Sequence, residues 1–182
     1  AQKAQQDAKA AIESDEMNYE AVKKEIQKLI AAAAAAQPQL SFTGFICPLK
    51  SYSRISSEYG WRKNPVTGVN KLHAGTDFAA PGGTPIYAIA DGVVSAARTM
   101  NSYGNCVQVS HGTADDGHRY DSLYAHMSSI AVAQGAAVQK GDLLGYVGNT
   151  GNVYGAGGGY HLHLELRVDG SRVDPLGFVP TH

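Results

Sequence analysis

Residues 160–167 read Tyr-His-Leu-His-Leu-Glu-Leu-Arg, an alternation that predicts a β-strand. Side chains on a strand point to opposite faces with period two, so His161, His163, Glu165 and Arg167 share one face while Leu162, Leu164, Leu166 and Val168 share the other. One face is core and the other is chemical. A merely solvated face would carry Lys, Thr, Ser and Glu; paired imidazoles followed by a carboxylate suit a divalent metal, or a proton-transfer site beside one.

The same period runs outward from this strand. From Leu40 onward, residues 53–57, 85–90, 92–99, 105–111, 118–126, 143–148 and 161–168 all read as strands. Pro81-Gly82-Gly83, Asp91-Gly92, Ser102-Tyr103-Gly104, Asp116-Gly117 and the stretch 155–159 punctuate them as turns. With 21 glycines and 10 tyrosines scattered over short segments, the expectation is a mainly β fold: an antiparallel β-sheet or partly open sandwich, with one helical turn near Met127 to Val132. No internal repeat is present, and the alanines 31–36 are the sole low-complexity tract.

Residues 1–36 differ in kind, having no Gly or Pro and a 3-4 spacing through Ala8, Ile12, Asp15, Tyr19, Val22, Ile26 and Leu29. They predict an amphipathic N-terminal α-helix with Glu20 and Lys24 as a favourable i,i+4 pair. Asp15 interrupts the seam and alanine fills several of its positions, so the helix requires a partner. It reads as the end of a coiled coil, in self-association or partner contact, or as a helix packed on its own domain. Gln37-Pro38-Gln39 ends it, which divides the chain into a helical segment 1–37 and a β domain 38–182. The opening at Ala1, in mid-pattern, leads us to expect a fragment of a longer protein.

At 182 residues and 43% hydrophobic the chain can bury a real core. A formal charge of −1 provides no broad basic field, which argues against nucleic acid as a partner. The longest apolar run, residues 29–36, falls well short of the roughly 20 residues a membrane span needs. Cys47 and Cys106 are too far apart in sequence for a short metal-binding pair, leaving a disulfide or two buried thiols.

A second ligand spacing stands at His73-Ala74-Gly75-Thr76-Asp77, in a turn-rich segment where Gly75 relaxes the backbone. An imidazole and a carboxylate so spaced can close on one ion from a loop or a bent strand entry. Set beside His161 and His163 they complete a borderline His, His, Asp donor set that suits zinc, with three protein ligands and one position left for water.

The order His73-x-x-x-Asp77, Leu123-Tyr124-Ala125-His126, His161-Leu162-His163 resembles the lysostaphin-type (LytM-like) zinc endopeptidases of bacterial cell walls. The resemblance extends through Tyr59-Gly60-Trp61-Arg62, Gly75 to Pro81, Ala90 to Val94 and Gly141-Asp142. It implies that His73, Asp77 and His163 are zinc ligands, that His126 and His161 are catalytic, and that the substrate is a peptide of peptidoglycan cut outside the cytoplasm. An extracytoplasmic setting implies in turn a Cys47–Cys106 disulfide. The alternative within the same fold is a non-catalytic peptidoglycan-binding or partner-activating module, which usually lacks one of these residues; all are present here. A lipoyl-like carrier, suggested by residues 90–94 and 138–145, lacks the modifiable lysine on a hairpin tip. Two departures mark the chain: Thr67 where members nearest lysostaphin carry tyrosine, so glycyl-glycine specificity is not implied, and Gly157-Gly158-Gly159-Tyr160 where many have Gly-Pro.

The remaining polar residues take plainer expectations. His111, His118 and His182 read as solvent-facing, without a role. Tyr124 shares strand parity with His126 and reads as a packed aromatic, and Glu165 is placed either to orient His163 through its second nitrogen or simply to meet Arg167.

Overall fold

Alternation becomes sheet throughout the β domain. In the computed structural model, which describes residues 22–25, 28, 44–63, 68–153 and 156–181, the strands are β1 (Arg54–Ser57), β2 (Gly60–Lys63), β3 (Asn70–His73), β4 (Thr76–Ala79), β5 (Pro85–Tyr87), β6 (Gly92–Met100), β7 (Gly104–Thr113), β8 (Arg119–Ile130), β9 (Ala137–Val138), β10 (Leu143–Val147), β11 (His161–Val168) and β12 (Ser171–Val173). They build a 10-stranded antiparallel sheet in the order β1-β4-β11-β8-β7-β6-β9, with β10 pairing β5 and β8, and β12 pairing β11. β2 and β3 form a separate two-stranded sheet. The expected mainly β, antiparallel architecture is the one observed.

The quoted strand lies at the centre of this order, between β4 and β8. Its Leu162, Leu164 and Leu166 are fully buried in the main core with Phe78, Ile86, Tyr124 and Leu144. Central position covers the other face too: Glu165 has no exposed surface and His163 is buried, so the chemical face is enclosed rather than solvated.

Short strands escaped the periodicity. β3 and β4 flank Gly75 in a segment read as turn-rich, yet His73 ends one strand and Asp77 lies inside the other. Four residues hold too few alternations to register, and Thr76, Asp77 and Phe78 are all buried, which removes the polar half of the pattern. β2, β9 and β12 are of the same kind. The helical turn expected over Met127 to Val132 is instead the end of β8, where Met127, Ser129 and Ile130 pair with β10; sheet pairing overrides weak local preference.

The chain divides into two compact units, Ala1–Gln37 and Pro38–His182. In the first, residues 22–25 and 28 are helical, and Lys28 stands 3.7 Å from Glu25. The rest of the helix expected over 1–36 lies outside the described residues, as does His182.

Two expectations are corrected. The Cys47–Cys106 disulfide is not formed: both cysteines are free and buried. Cys47 sits in the segment that runs beside β5, where Ile46 N–H donates to Ile89 and Tyr87 N–H donates to Pro48. Cys106 lies on β7, packs with Leu123 and Ala125, and donates through Sγ to the Arg98 carbonyl oxygen at 3.3 Å. Burial pushes both thiols up.

His111 is not solvent-facing but 0% exposed. Its Nδ1–H donates to the Asp91 carbonyl oxygen at 2.7 Å, which leaves Nε2 to accept from Ser122 Oγ, also at 2.7 Å. Ser122 Oγ in turn lies 3.1 Å from the Tyr124 hydroxyl, which accepts from Ile89 N–H at 2.9 Å. Every member of this buried chain has a partner, which is what makes the histidine tolerable there. His118, by contrast, is exposed as expected and donates to Asp169 at 2.7 Å.

Burial above all holds the His111 pKa below 6.5, the hydrogen bond to Asp91 and the nearby Asp121 opposing it. A depressed histidine binds fewer protons folded than unfolded, so its stabilisation is complete above the unfolded pKa and is lost as pH falls below it. Stability should therefore decline on acidification from about pH 6.5, by at most ~1.4 kcal/mol per pH unit from this group. Thermal unfolding of the natural chain and of His111→Gln across pH 7 to 5 checks this: the natural chain should lose more. Parallel curves would exclude a titrating His111.

Candidate active site

Pairing assembles the site. In the register across β4, β11 and β8, His163 opposes Asp77 on one side and Ala125 on the other, while His161 opposes Ala79. Directly opposed residues share a face, so the predicted imidazole and carboxylate meet although 86 residues separate them. His73 arrives from β3. The intervening Gly75 permits close approach, since a Cβ there would overlap the Leu164 carbonyl and reach the His163 ring.

His73 Nε2 lies 3.2 Å and His163 Nδ1 2.7 Å from the same Asp77 oxygen, Oδ1. One ligand atom from each of the three residues falls within 4.8 Å of the others. Hydrogen bonds set the tautomer of His73: the Glu58 carbonyl oxygen, 2.7 Å from Nδ1, can only accept, so Nδ1 carries the hydrogen and Nε2 turns a bare lone pair on the carboxylate. Two acceptors facing each other at this distance call for a proton or a cation between them. The converging His, Asp, His donors therefore fit a divalent metal, and their borderline softness fits zinc.

Glu165 supports this cluster from behind and meets Arg167 as well, so both of the contacts open to it on the strand face are made. Its Oε1 stands 3.6 Å from His163 Nε2. Tyr103 Oη donates to Oε1 at 2.5 Å, and Oε2 accepts from Arg172 Nε at 3.0 Å and from Arg167 at 3.1 Å. Burial opposes its ionisation, but the bonds from His163, Tyr103 and Arg172 prevail and bring its pKa to about 2. Burial likewise opposes a charged Asp77, but the hydrogen bond from His163 and the close approach of His73 hold its carboxyl far below the usual range. Burial disfavours the His163 cation as well, yet Asp77 and Glu165 raise its pKa to about 9. Tyr103 and Arg172 carried no signal in the sequence, because neither lies in a spacing motif and only the fold brings them to Glu165.

His126 reaches the site through a local irregularity. Between the pairs Asn105↔Met127 and Val107↔Tyr124 the register of β7 and β8 shifts by one, so Ala125 and His126 together oppose Cys106. His126 has φ 60°, the left-handed region that a branched or bulky side chain rarely enters. This bulge turns His126 onto the His163 face, whereas simple alternation would send it into the core with Tyr124. Tyr124 is packed, 0% exposed, and does not share the face of His126.

The His126 and His161 rings lie 4.7 Å apart, centroid to centroid, and His126 is 5.8 Å from His163. His126 Nδ1–H donates to the Thr150 carbonyl oxygen at 2.8 Å, and His161 Nδ1–H to that of Gly159 at 2.7 Å. Each ring thus keeps Nε2 as a base; that of His161 is 3.8 Å from Asp77 Oδ1. Burial above all, with the neighbouring His161 and His163, lowers the His126 pKa to about 4, leaving the ring neutral at neutral pH. All of the sequence-predicted site residues, His73, Asp77, His126, His161 and His163, are thereby brought to one place, where a cation, a water molecule and two proton acceptors can meet.

Comparison with known proteins agrees with this chemistry. The description of peptidase family M23 matches residues 71–175. The chain is 42% identical over 130 residues to the peptidoglycan DD-endopeptidase ShyA of Vibrio cholerae serotype O1, covering 71% of this chain and 28% of that one. Among solved structures, a zinc containing peptidase from Vibrio cholerae aligns with a TM-score of 0.64 at 36% identity, over 72% of this chain and 39% of the other. The catalytic domain of lysostaphin from Staphylococcus simulans aligns with a TM-score of 0.57 at 28% identity, over 68% and 90%. The chain spans 27% to 28% of the length of such curated relatives.

Proposed function

The chain belongs to peptidase family M23, and from that membership we propose that it is a zinc-dependent endopeptidase that cuts peptide cross-links or stem peptides of bacterial peptidoglycan. The carrying observation is the convergence of His73, Asp77 and His163 within 4.8 Å beside two imidazoles whose Nε2 atoms are unprotonated. Zinc bound by those three residues would lower the pKa of a water to about 7 and polarise the scissile carbonyl as a Lewis acid.

The chain's own residues supply the rest. His126 and His161 accept the proton of the attacking water at Nε2 and return it to the leaving nitrogen. While protonated, they donate to the oxyanion that forms. The Thr150 and Gly159 carbonyl oxygens hold both rings in the tautomer this requires, and Glu58 does the same for His73. Asp77 and Glu165 keep negative charge beside His163, and the ring is held between them.

Incubating the zinc-loaded protein with purified peptidoglycan tests the proposal. Soluble peptides and new amino termini should appear, cease with a chelator and return with added zinc. Binding to the wall without release would identify the non-catalytic module instead. Action on peptidoglycan places the site of work outside the cytoplasm.

The helix expected over residues 1–36 we assign to self-association or partner contact, since its seam requires an apolar surface. Removing residues 1–37 should alter self-association or activity on intact walls while small peptides are still cut. A truncated chain unchanged in both respects would exclude that role.

A further inference from the structure

The β2–β3 pair that carries His73 also carries charge that the chemistry above does not use. In the β2–β3 pair Gly60 opposes His73 and Arg62 opposes Lys71. Opposed residues, and residues two apart, share a face, so Arg62 and Lys71 stand on the same face as His73, whose ring is turned to Asp77. Both are exposed, and among the described residues neither has a carboxylate partner. Like charges directly opposed across two strands repel, so this arrangement weakens the hairpin unless an anion lies between them. The sign is not local to the pair. Arg54 is exposed on β1, in register with Ala79, which itself opposes His161 on the chemical face. From residue 54 to 73 the chain carries Arg54, Arg62, Lys63 and Lys71 against the single carboxylate Glu58.

We propose that Arg62 and Lys71 form a carboxylate-binding subsite on the β2–β3 pair beside His73, selecting peptides that carry a free carboxylate next to the bond to be cut. The proposal rests on the peptidase reading for its substrate. A strand advances ~6.6 Å over two residues, a distance an arginine or lysine side chain spans, so both cationic heads can reach to within about one substrate residue of the His73 donor. The guanidinium takes a carboxylate through paired N–H groups, and the ammonium adds a point charge. An acidic peptide is thus held by its charge while its amide lies over His73, Asp77 and His163.

The test uses the zinc-loaded full chain and two synthetic peptides with amidated C termini, identical except that the residue next to the amide to be cut bears a free side-chain carboxylate in one and a carboxamide in the other. Both equilibrium binding and cleavage are followed. The natural chain should prefer the carboxylate about 10-fold at low salt and less as salt rises. Arg62→Gln with Lys71→Gln should bring the ratio near 1, and Arg62→Lys should retain part of it. Absence of a preference in the natural chain, or its survival in the double substitution, would overturn the subsite. A binding preference lost on substitution, in a chain that cuts neither peptide, would support the subsite and count against the hydrolytic reading. Cleavage of both peptides at equal rates would do the reverse.

Discussion

His163→Ala should strip the protein of zinc, while His126→Ala should keep zinc and lose turnover. The division follows from geometry. His73 Nε2 and His163 Nδ1 both face Asp77 Oδ1, at 3.2 and 2.7 Å, so removing any of these residues leaves two donors where zinc requires at least three. Metal analysis after dialysis should find about one zinc per natural chain and little in His73→Ala, Asp77→Ala or His163→Ala. His126 and His161 instead place Nδ1 on backbone oxygens and keep Nε2 for protons. Losing either should cost about 10²- to 10⁴-fold in kcat, the usual range for a positioned acid or base. His126→Asn separates chemistry from backbone, because asparagine tolerates the left-handed region that His126 occupies at φ 60°. It should be as inactive as His126→Ala and hold zinc as firmly. Zinc lost from His161→Ala but retained by His163→Ala would reverse the assignment within the pair.

Glu165→Gln should weaken zinc binding by about 10- to 100-fold without touching a ligand, the range expected when a group that orients a metal-binding histidine is changed. Glutamine preserves size but removes the charge beside His163 Nε2 and leaves one acceptor oxygen to serve Tyr103, Arg172 and Arg167 where glutamate has two. Those arginine side chains are 40% and 31% exposed, so water replaces part of what they lose, and the cost in stability should stay near ~1–3 kcal/mol. Tyr103→Phe deletes one hydrogen bond to Glu165 and should show a smaller effect of the same sign, ~1 kcal/mol. Zinc titration of the metal-free proteins, with thermal unfolding alongside, reads both quantities. An unchanged zinc affinity in Glu165→Gln would remove Glu165 from the site.

Much of this protein is determined by local sequence. Alternation over 161–168 was enough to identify β11, to send Leu162, Leu164 and Leu166 to the core, and to place His161, His163 and Glu165 together on the opposite face. Period-two patterning depends only on neighbouring residues, which is why it survives without the rest of the chain. The mainly β architecture, and the grouping of His73, Asp77 and His126 with the His pair, were legible on the same basis together with the family resemblance. Tertiary structure decided the rest. Strand pairing, not spacing, brings Asp77 to His163 and makes β4 a strand although all but its last residue is buried. A one-residue slip against β7 turns His126 away from Tyr124, reversing the face that alternation assigns it. Carbonyl oxygens of Glu58, Thr150 and Gly159 select the tautomers, and backbone groups have no residue-specific signature to read. His111, placed at the surface by its flanking turn, is enclosed because Asp91 and Ser122 satisfy both of its nitrogens. Cys47, beside β5, and Cys106, on β7, remain separate buried thiols. Apart from Gly159, which is two residues from His161, the deciding partner in these cases lies elsewhere in the sequence, and only the folded register specifies who meets whom.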